Sequence, residues 1–169
     1  MIKIRGESPL DYTLVGEIYQ LAFGRDNEGN LVDSIRKSDR NIPELSLVAE
    51  LDGTVVGHIL FSYIDLVGAE TWRMLSLAPI AVIPEFQNQG IGSALVQKGL
   101  EVAEAMGEFL VIVLGHPQFY PRFGFEPSVI YGIESPFPVP DEVFMVKWLK
   151  SCQGDYRGKV IYPSVFNEV

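Results

Sequence analysis

Hydrophobic and polar positions alternate from the second residue onward, with Ile2 and Ile4 set against Lys3 and Arg5, and this period of two predicts an opening strand over residues 1–5. Ser8-Pro9 then reads as a helix start, because serine can cap the first free amides and proline tolerates the first helical position. Leu14, Ile18, Leu21 and Ala22 recur at helical spacing up to Phe23. A polar turn with two glycines over residues 24–30 reads as a mobile loop, followed by a weaker helical pattern around Leu31 and Ile35 that ends before Pro43. From Leu45 the period returns to two. Residues 45–51, the Asp52-Gly53 pair and residues 54–66 predict a hairpin about a two-residue turn. After a turn at 68–70, a third long strand covers residues 72–82; Pro79 has no N–H for a ladder and predicts a bulge or an unpaired edge within it.

Residues 89–106 carry the strongest helical pattern, with Ile91, Leu95, Val102 and Met106 on one stripe, Val96, Leu100 and Ala103 beside it, and Gly107 placed to end it. An apolar run of strand length follows at 109–114. Strand, glycine loop, helix and strand in that order predict a crossover joining parallel neighbours. Residues 119–123 suggest a short helix, Phe125 opens another strand segment and 143–149 a further one, with a Pro-rich loop over 135–142 between them. With no internal repeat and no low-complexity linker, one domain over residues 1–169 is expected, a length that a single core commonly organises.

Composition narrows the function classes. An apolar share of 47% and an aromatic share of 11% are enough for a packed core. The net charge of −9 argues against a surface that tracks phosphates, so no nucleic-acid partner is expected. The longest apolar stretches, 77–84 and 109–114, are far too short to cross a bilayer, so no membrane partner is expected either. The opening residues do not read as a cleavable signal, and Cys152 alone cannot close a disulfide; a cytoplasmic location is the expectation. His58, His116 and Cys152 stand at unrelated positions, so no metal site is expected, and Cys152 reads as an idle thiol. His58, between Gly57 and Ile59 in a strand, reads as a half-buried structural residue.

The chemistry concentrates in residues 78–103. A strand delivers the chain to Gln87-Asn88-Gln89-Gly90-Ile91-Gly92, whose small residues let backbone amides approach an anion at a helix N-terminus. A dinucleotide fingerprint would need Gly or Ala where Leu95 stands, and no Gly-Lys-Ser/Thr follows to make a nucleotide P-loop. The pattern that fits is Gln/Arg-x-x-Gly-x-Gly/Ala, carried by Gln87, Gly90 and Gly92, and it resembles the acetyl-CoA loop of the GNAT superfamily of N-acetyltransferases. Some thirty residues on, Tyr120, Gly124 and Phe125 match the family's Tyr-x-x-x-Gly-Phe. The motif matches lie between residues 78 and 127, while the order of elements is similar over nearly the whole chain; the C-terminal Gly158 to Phe166 segment is also similar to a bacterial branch of predicted N-acetyltransferases.

The resemblance implies an α/β (α+β) domain of GNAT-like fold, with a mixed, mostly antiparallel sheet splayed between strands 72–82 and 109–114 and flanked by helices. It implies acetyl-CoA as cosubstrate, with its acetyl group passing directly to a primary amine of a small molecule or peptide. Backbone groups of Ile80, Ala81 and Val82 would hold the pantetheine arm as an added strand does. Amides of Gln89, Gly90, Ile91 and Gly92, helped by Gln87, Asn88 and Ser93, would take the pyrophosphate. An amide near Ala81 or Val82 would meet the thioester oxyanion. Tyr120 would protonate the leaving thiolate, since a phenol near pKa ~10 stays protonated where a thiol near ~8.5 ionises. The base stays open between His116, Glu85 and a water relay. Loops 24–30 and 133–142 would flank the acceptor, with Phe137 as an apolar wall. A noncatalytic acyl-CoA sensor would use the same binding motif, an acyltransferase of longer chains would share it too, and the hairpin edges and C-terminal strand would support a homodimer.

Overall fold

The computed structural model describes residues 1–168. After β1 (Ile2–Gly6) and a short 3-10 turn from Pro9, the first helix α1 spans Tyr12–Phe23, and α2 spans Asn27–Arg36. The connection is shorter than the polar pattern predicts. Gly24 closes α1, its N–H donating to the Gln20 carbonyl, and α2 begins three residues later. Residues 27–30 are helical, with Gly29 packed against Gly16 and Tyr19 of α1 and Glu28 turned inward.

Strand β2 (Ser46–Leu51) pairs antiparallel with β1 and continues through Asp52 and Gly53, at φ 50° and 84°, into β3 (Thr54–Val67), which is the predicted hairpin. Strand β4 (Thr71–Val82) returns along β3. Its register passes from Ile80 opposite Ile59 to Leu77 opposite Phe61, so β4 holds one extra residue at Ala78-Pro79, where proline has no N–H to donate. The bulge is therefore where the sequence places it.

Helix α3 (Ile91–Ala105) then crosses to β5 (Leu110–Leu114), which lies parallel to β4 but pairs with it only at Leu75 with Val111 and Ser76 with Ile112. Beyond Ser76 the two strands part, giving the predicted splay. Short strands β6 (Glu126–Pro127), β7 (Ile133–Glu134), β8 (Phe144–Trp148) and β9 (Gly158–Ile161) complete a nine-stranded sheet among the described residues, ordered β1-β2-β3-β4-β5-β8-β6. β9 pairs with β3 on one side and β7 on the other, so the C-terminal strand is engaged within its own chain. Only β4–β5 and β7–β9 are parallel.

Alternation along β2 and β3 assigns the faces. Leu47, Ala49, Ile59 and Phe61 join the layer beneath α3, whereas Val48 and Leu60 join Val15, Ile18, Leu31 and Ile35 of α1 and α2. Met106, expected on the buried stripe, is 40% exposed, because α3 ends at Ala105 and Met106 serves as its C-cap. His58, expected half-buried, is wholly buried. Among the described residues no helix is long and apolar enough to cross a membrane.

Gly99 marks the tightest contact of α3 with the sheet, since a Cβ there would overlap the buried Phe61 ring. Gly99→Ala would gain about 1 kcal/mol on helix propensity alone. We expect it instead to lower stability by about 1–3 kcal/mol in urea denaturation through overpacking; stability at or above that of the parent would show that the ring yields.

Candidate active site

The parting of β4 from β5 leaves one edge of residues 80–82 without a neighbouring strand. Ile83 N–H donates to the Val56 carbonyl at 2.9 Å, so strand alternation turns Ala81 toward β3 as well and leaves the N–H groups of Ile80 and Val82 on the open edge. Of the two amides considered for an oxyanion, Val82 is thus the free one. The chain then makes a 3-10 turn at Pro84–Phe86, and the Gln87 side-chain amide donates back to the Val82 carbonyl at 2.9 Å. Gln87 fixes the loop to the strand end.

Asn88 at φ 62° and Gly90 at φ 84° turn the chain into α3. Gly90 is its N-cap, in a left-handed conformation that glycine adopts without steric penalty. The amides that follow have no intrahelical acceptor, as in any first turn. Gly92 faces the Phe119 ring, so the glycine loop and the aromatic segment meet in space.

Between them lies a cavity of about 640 Å³. Ile80, Ala81, Val82, Gln87, Asn88, Gly90, Gly92, Ser93 and Tyr120, all candidates from the sequence, line it. Two expected members do not. Gln89 is exposed, its side chain reaching the Glu85 carbonyl at 3.4 Å, and the Ile91 side chain is buried in the core beneath α3; only their backbones belong to the loop. His116 lines the cavity and Glu85 does not. Arg122 is a lining residue the sequence reading passes over; its guanidinium lies 4.7 Å from the Phe119 ring centre. The signal was a cation set among aromatics one turn from the family tyrosine.

A second cavity, of about 380 Å³, adjoins the first. Phe23, Ile80, His116 and Tyr120 line both. Its other walls include Leu31, Pro79, Phe137 and Glu28, so residues from both predicted flanking loops reach it. Tyr162 and Phe166 of the C-terminal segment also line it and were not anticipated, because nothing in their local pattern reveals that β9 returns the chain to this face.

Tyr120 is 5% exposed, wedged edge-on between Phe119 and Phe125 with ring centres 5.0 and 5.7 Å away. Gly115 lies against the ring, where a Cβ would overlap it. Burial pushes the phenol up to about 12. A core tyrosine normally has its hydroxyl paired, yet this hydroxyl has no hydrogen-bond partner among the described residues.

Behind the bulge runs a buried polar chain. Tyr19 Oη lies 2.8 Å from His58 Nδ1 and 3.1 Å from the Pro79 carbonyl, His58 Nε2 lies 2.9 Å from Ser46 Oγ, and Ser46 donates to Glu7 at 2.6 Å. Because Ser46 gives its single proton to a carboxylate, it accepts from His58 Nε2–H, which leaves Nδ1 to accept from Tyr19. Glu7 is paired in turn with Arg36. The imidazole is held neutral, its pKa lowered to about 3 by burial first and by Arg36 second. Among the described residues no group of three or more His, Cys, Asp or Glu is placed to hold a metal.

A sheet parted beside a glycine-capped helix, with a cavity in the gap and a buried tyrosine at its floor, defines the N-acyltransferase class of fold. The model of the Acetyltransferase (GNAT) family matches residues 12–125, and the chain belongs to that family. It is 42% identical to the uncharacterized N-acetyltransferase YjhQ of Escherichia coli K12 over 134 residues, 78% of this chain and 74% of that one. The crystal structure of the GNAT family N-acetyltransferase YhbS from Escherichia coli in complex with CoA superimposes with a TM-score of 0.88 at 32% identity, covering 98% of this chain and 92% of that chain. A GNAT family acetyltransferase from Brucella melitensis in complex with acetyl-CoA gives a TM-score of 0.79 at 30% identity, with 98% of each chain covered.

The state of His58 has a measurable consequence. Unfolded, it takes a proton below about 6.5; folded, it stays neutral down to about 3. The unfolded chain therefore binds more protons in that window, and stability falls with pH by up to about 1.4 kcal/mol per unit below pH 6.5. Denaturation midpoints between pH 7 and 4.5 should show this slope and His58→Gln should flatten it; an equal slope in both proteins would remove His58 as its cause.

Proposed function

We propose that the chain transfers the acetyl group of acetyl-CoA directly to a primary amine, with Tyr120 as the general acid. The observation that carries this reading is the unpaired Tyr120 hydroxyl on the boundary of two adjoining cavities. The larger cavity takes the cosubstrate. Its open strand edge at Ile80 hydrogen-bonds the pantetheine arm, and the amides of residues 89–92, with Asn88 and Ser93 alongside, receive the pyrophosphate. Arg122 supplies the side-chain cation in the same wall. CoA and acetyl-CoA in the structures of the two relatives support this placement.

In the reaction the amine lone pair attacks the thioester carbonyl carbon, and the Val82 N–H stabilises the oxyanion. The C–S bond then breaks and the departing thiolate takes the Tyr120 proton. A phenol pushed up to about 12 by burial stays protonated at neutral pH, so its O–H is available to the departing sulfur throughout the reaction. The amine's own proton leaves through His116 or through water; His116 lines both cavities, which favours it over Glu85, which lines neither. Ser46, which lies beside His58, is buried and lines neither cavity, and Ser93, which lines the larger one, has no base as a hydrogen-bond partner among the described residues, so the transfer runs without a covalent enzyme intermediate.

Calorimetry with acetyl-CoA, CoA and NAD tests the cosubstrate: binding of the two CoA species and not NAD is expected. Tyr120→Phe should lower kcat by about 10²-fold, within the range for general acid catalysis, and leave the Kd for CoA within about twofold. Unchanged turnover would remove Tyr120 from the mechanism. Binding of acetyl-CoA without thiol release for any amine would favour the sensor reading. Because the phenol ionises only near 12, parent turnover should not fall between pH 8 and 10; an alkaline limb there would assign the acid to another group.

A further inference from the structure

The second cavity has a composition that selects its occupant. Leu31, Leu77 and Ile80 line it together with the rings of Phe137, Tyr162 and Phe166. Among the described residues Glu28 is the one acidic group in that lining, and no lysine or arginine lines it. From the adjoining surface Arg25 pairs with Glu28, its Nε donating to Oε1 at 3.0 Å and a terminal nitrogen to Oε2. The Arg25 side chain is half exposed, at 51%, whereas that of Glu28 is 6% exposed. A carboxylate has about four acceptor sites, so two remain after Arg25 has taken its pair.

Resting on the reading that this chain acetylates amines, we propose that the acceptor is a compact primary amine with an apolar, aryl-bearing body, and that Glu28 is its specificity-determining residue. The aromatic walls take the body of such a molecule. The Glu28 carboxylate draws in the ammonium, whose entry into an apolar chamber would otherwise carry a large desolvation cost. The amine then reaches the Tyr120 boundary, loses its proton and attacks. Other amine classes fit poorly for definite reasons. A polyamine brings two or three charges to a lining with one carboxylate. An amino sugar brings hydroxyls that the lining has few groups to satisfy. A peptide brings unpaired amides, and a cavity of about 380 Å³ lies near the small end of ligand sites. Phe137, at 42% exposure, stands at the rim, where it can close over an aryl group.

The test uses the full chain, acetyl-CoA and thiol release with four probes: 2-phenylethylamine, spermidine, glucosamine and a hexapeptide with a free N-terminus. We expect kcat/KM for 2-phenylethylamine to exceed that of each other probe by about tenfold or more. Glu28→Gln, nearly isosteric, should raise the KM for 2-phenylethylamine about tenfold, the loss of one charge-assisted hydrogen bond. Its kcat and its Kd for acetyl-CoA should change by less than about threefold. Phe137→Ala, a change at the rim where the ring rests on Tyr162, should raise the same KM while acetyl-CoA binding holds.

A preference for spermidine, glucosamine or the peptide overturns the acceptor assignment and leaves the acetyltransferase reading standing, as does an unchanged KM in Glu28→Gln. Acetyl-CoA binding without turnover of any probe overturns the assignment too. If acetyl-CoA itself fails to bind in calorimetry, the parent reading falls, and that failure is seen before any amine is added.

Discussion

One extra residue in β4 governs the molecule. Had β4 run regularly past Pro79, its far edge could have gone on pairing with β5 and the gap between them would have closed. The bulge at Ala78-Pro79 interrupts the β3–β4 ladder two residues after the last β4–β5 pair, at Ser76 with Ile112. The Tyr19 hydroxyl lies behind the Pro79 carbonyl at 3.1 Å, its one proton shared between that oxygen and His58 Nδ1 at 2.8 Å, and His58 is held in turn by Ser46 and Glu7. The parted strands are therefore braced by a polar chain reaching across α1, β2 and β3, and residues 80–82 present their open edge because the residues before them cannot move back.

Burial acts on Tyr120 and His58 in the same direction, toward the neutral form, and to opposite ends. His58 satisfies both ring nitrogens and becomes structural. Tyr120 has its ring packed edge-on against Phe119 and Phe125, yet the residue lines both cavities and its hydroxyl has no partner among the described residues. A tyrosine ring packed in a core normally has its hydroxyl paired; an unpaired hydroxyl beside open space is free to bond a ligand. The contrast between the two residues gives the tyrosine its chemical reading, and sequence position alone could not have drawn it.

How much of this was legible follows from the range of the interactions. The hairpin turn, the bulge and the start of α3 are local: Asp52-Gly53, Pro79 and Gly90 each dictate backbone geometry within a few residues. The glycine loop and the tyrosine segment were readable as spaced motifs, and the structure brings Gly92 against Phe119. What escaped depended on long-range return of the chain. Glu28 looked like part of a polar loop, because its burial arises only when Gly29 packs on Gly16. Tyr162 and Phe166 reach the second cavity only because β9 fills the edge of β3 that β2 leaves open. Met106 was misplaced for the opposite reason, since the helical period carries no record of where the helix stops.

Charge is sorted across the boundary that Tyr120 marks. On the side of the glycine loop stand Arg122 and the amides of a helix start; on the other, among the described residues, stands Glu28, paired with Arg25 from the surface and with two acceptor sites left. The net charge of −9 is spread over a surface where counterions screen it within about 10 Å. It therefore does not decide what enters either cavity; the local groups do. Under the proposed reaction a polyanionic donor and a cationic acceptor approach from opposite sides of one phenol, each met by the sign it needs. That arrangement keeps each substrate out of the other's chamber, and the two reacting groups meet only at the shared wall, where Tyr120 holds a proton that no protein group takes up.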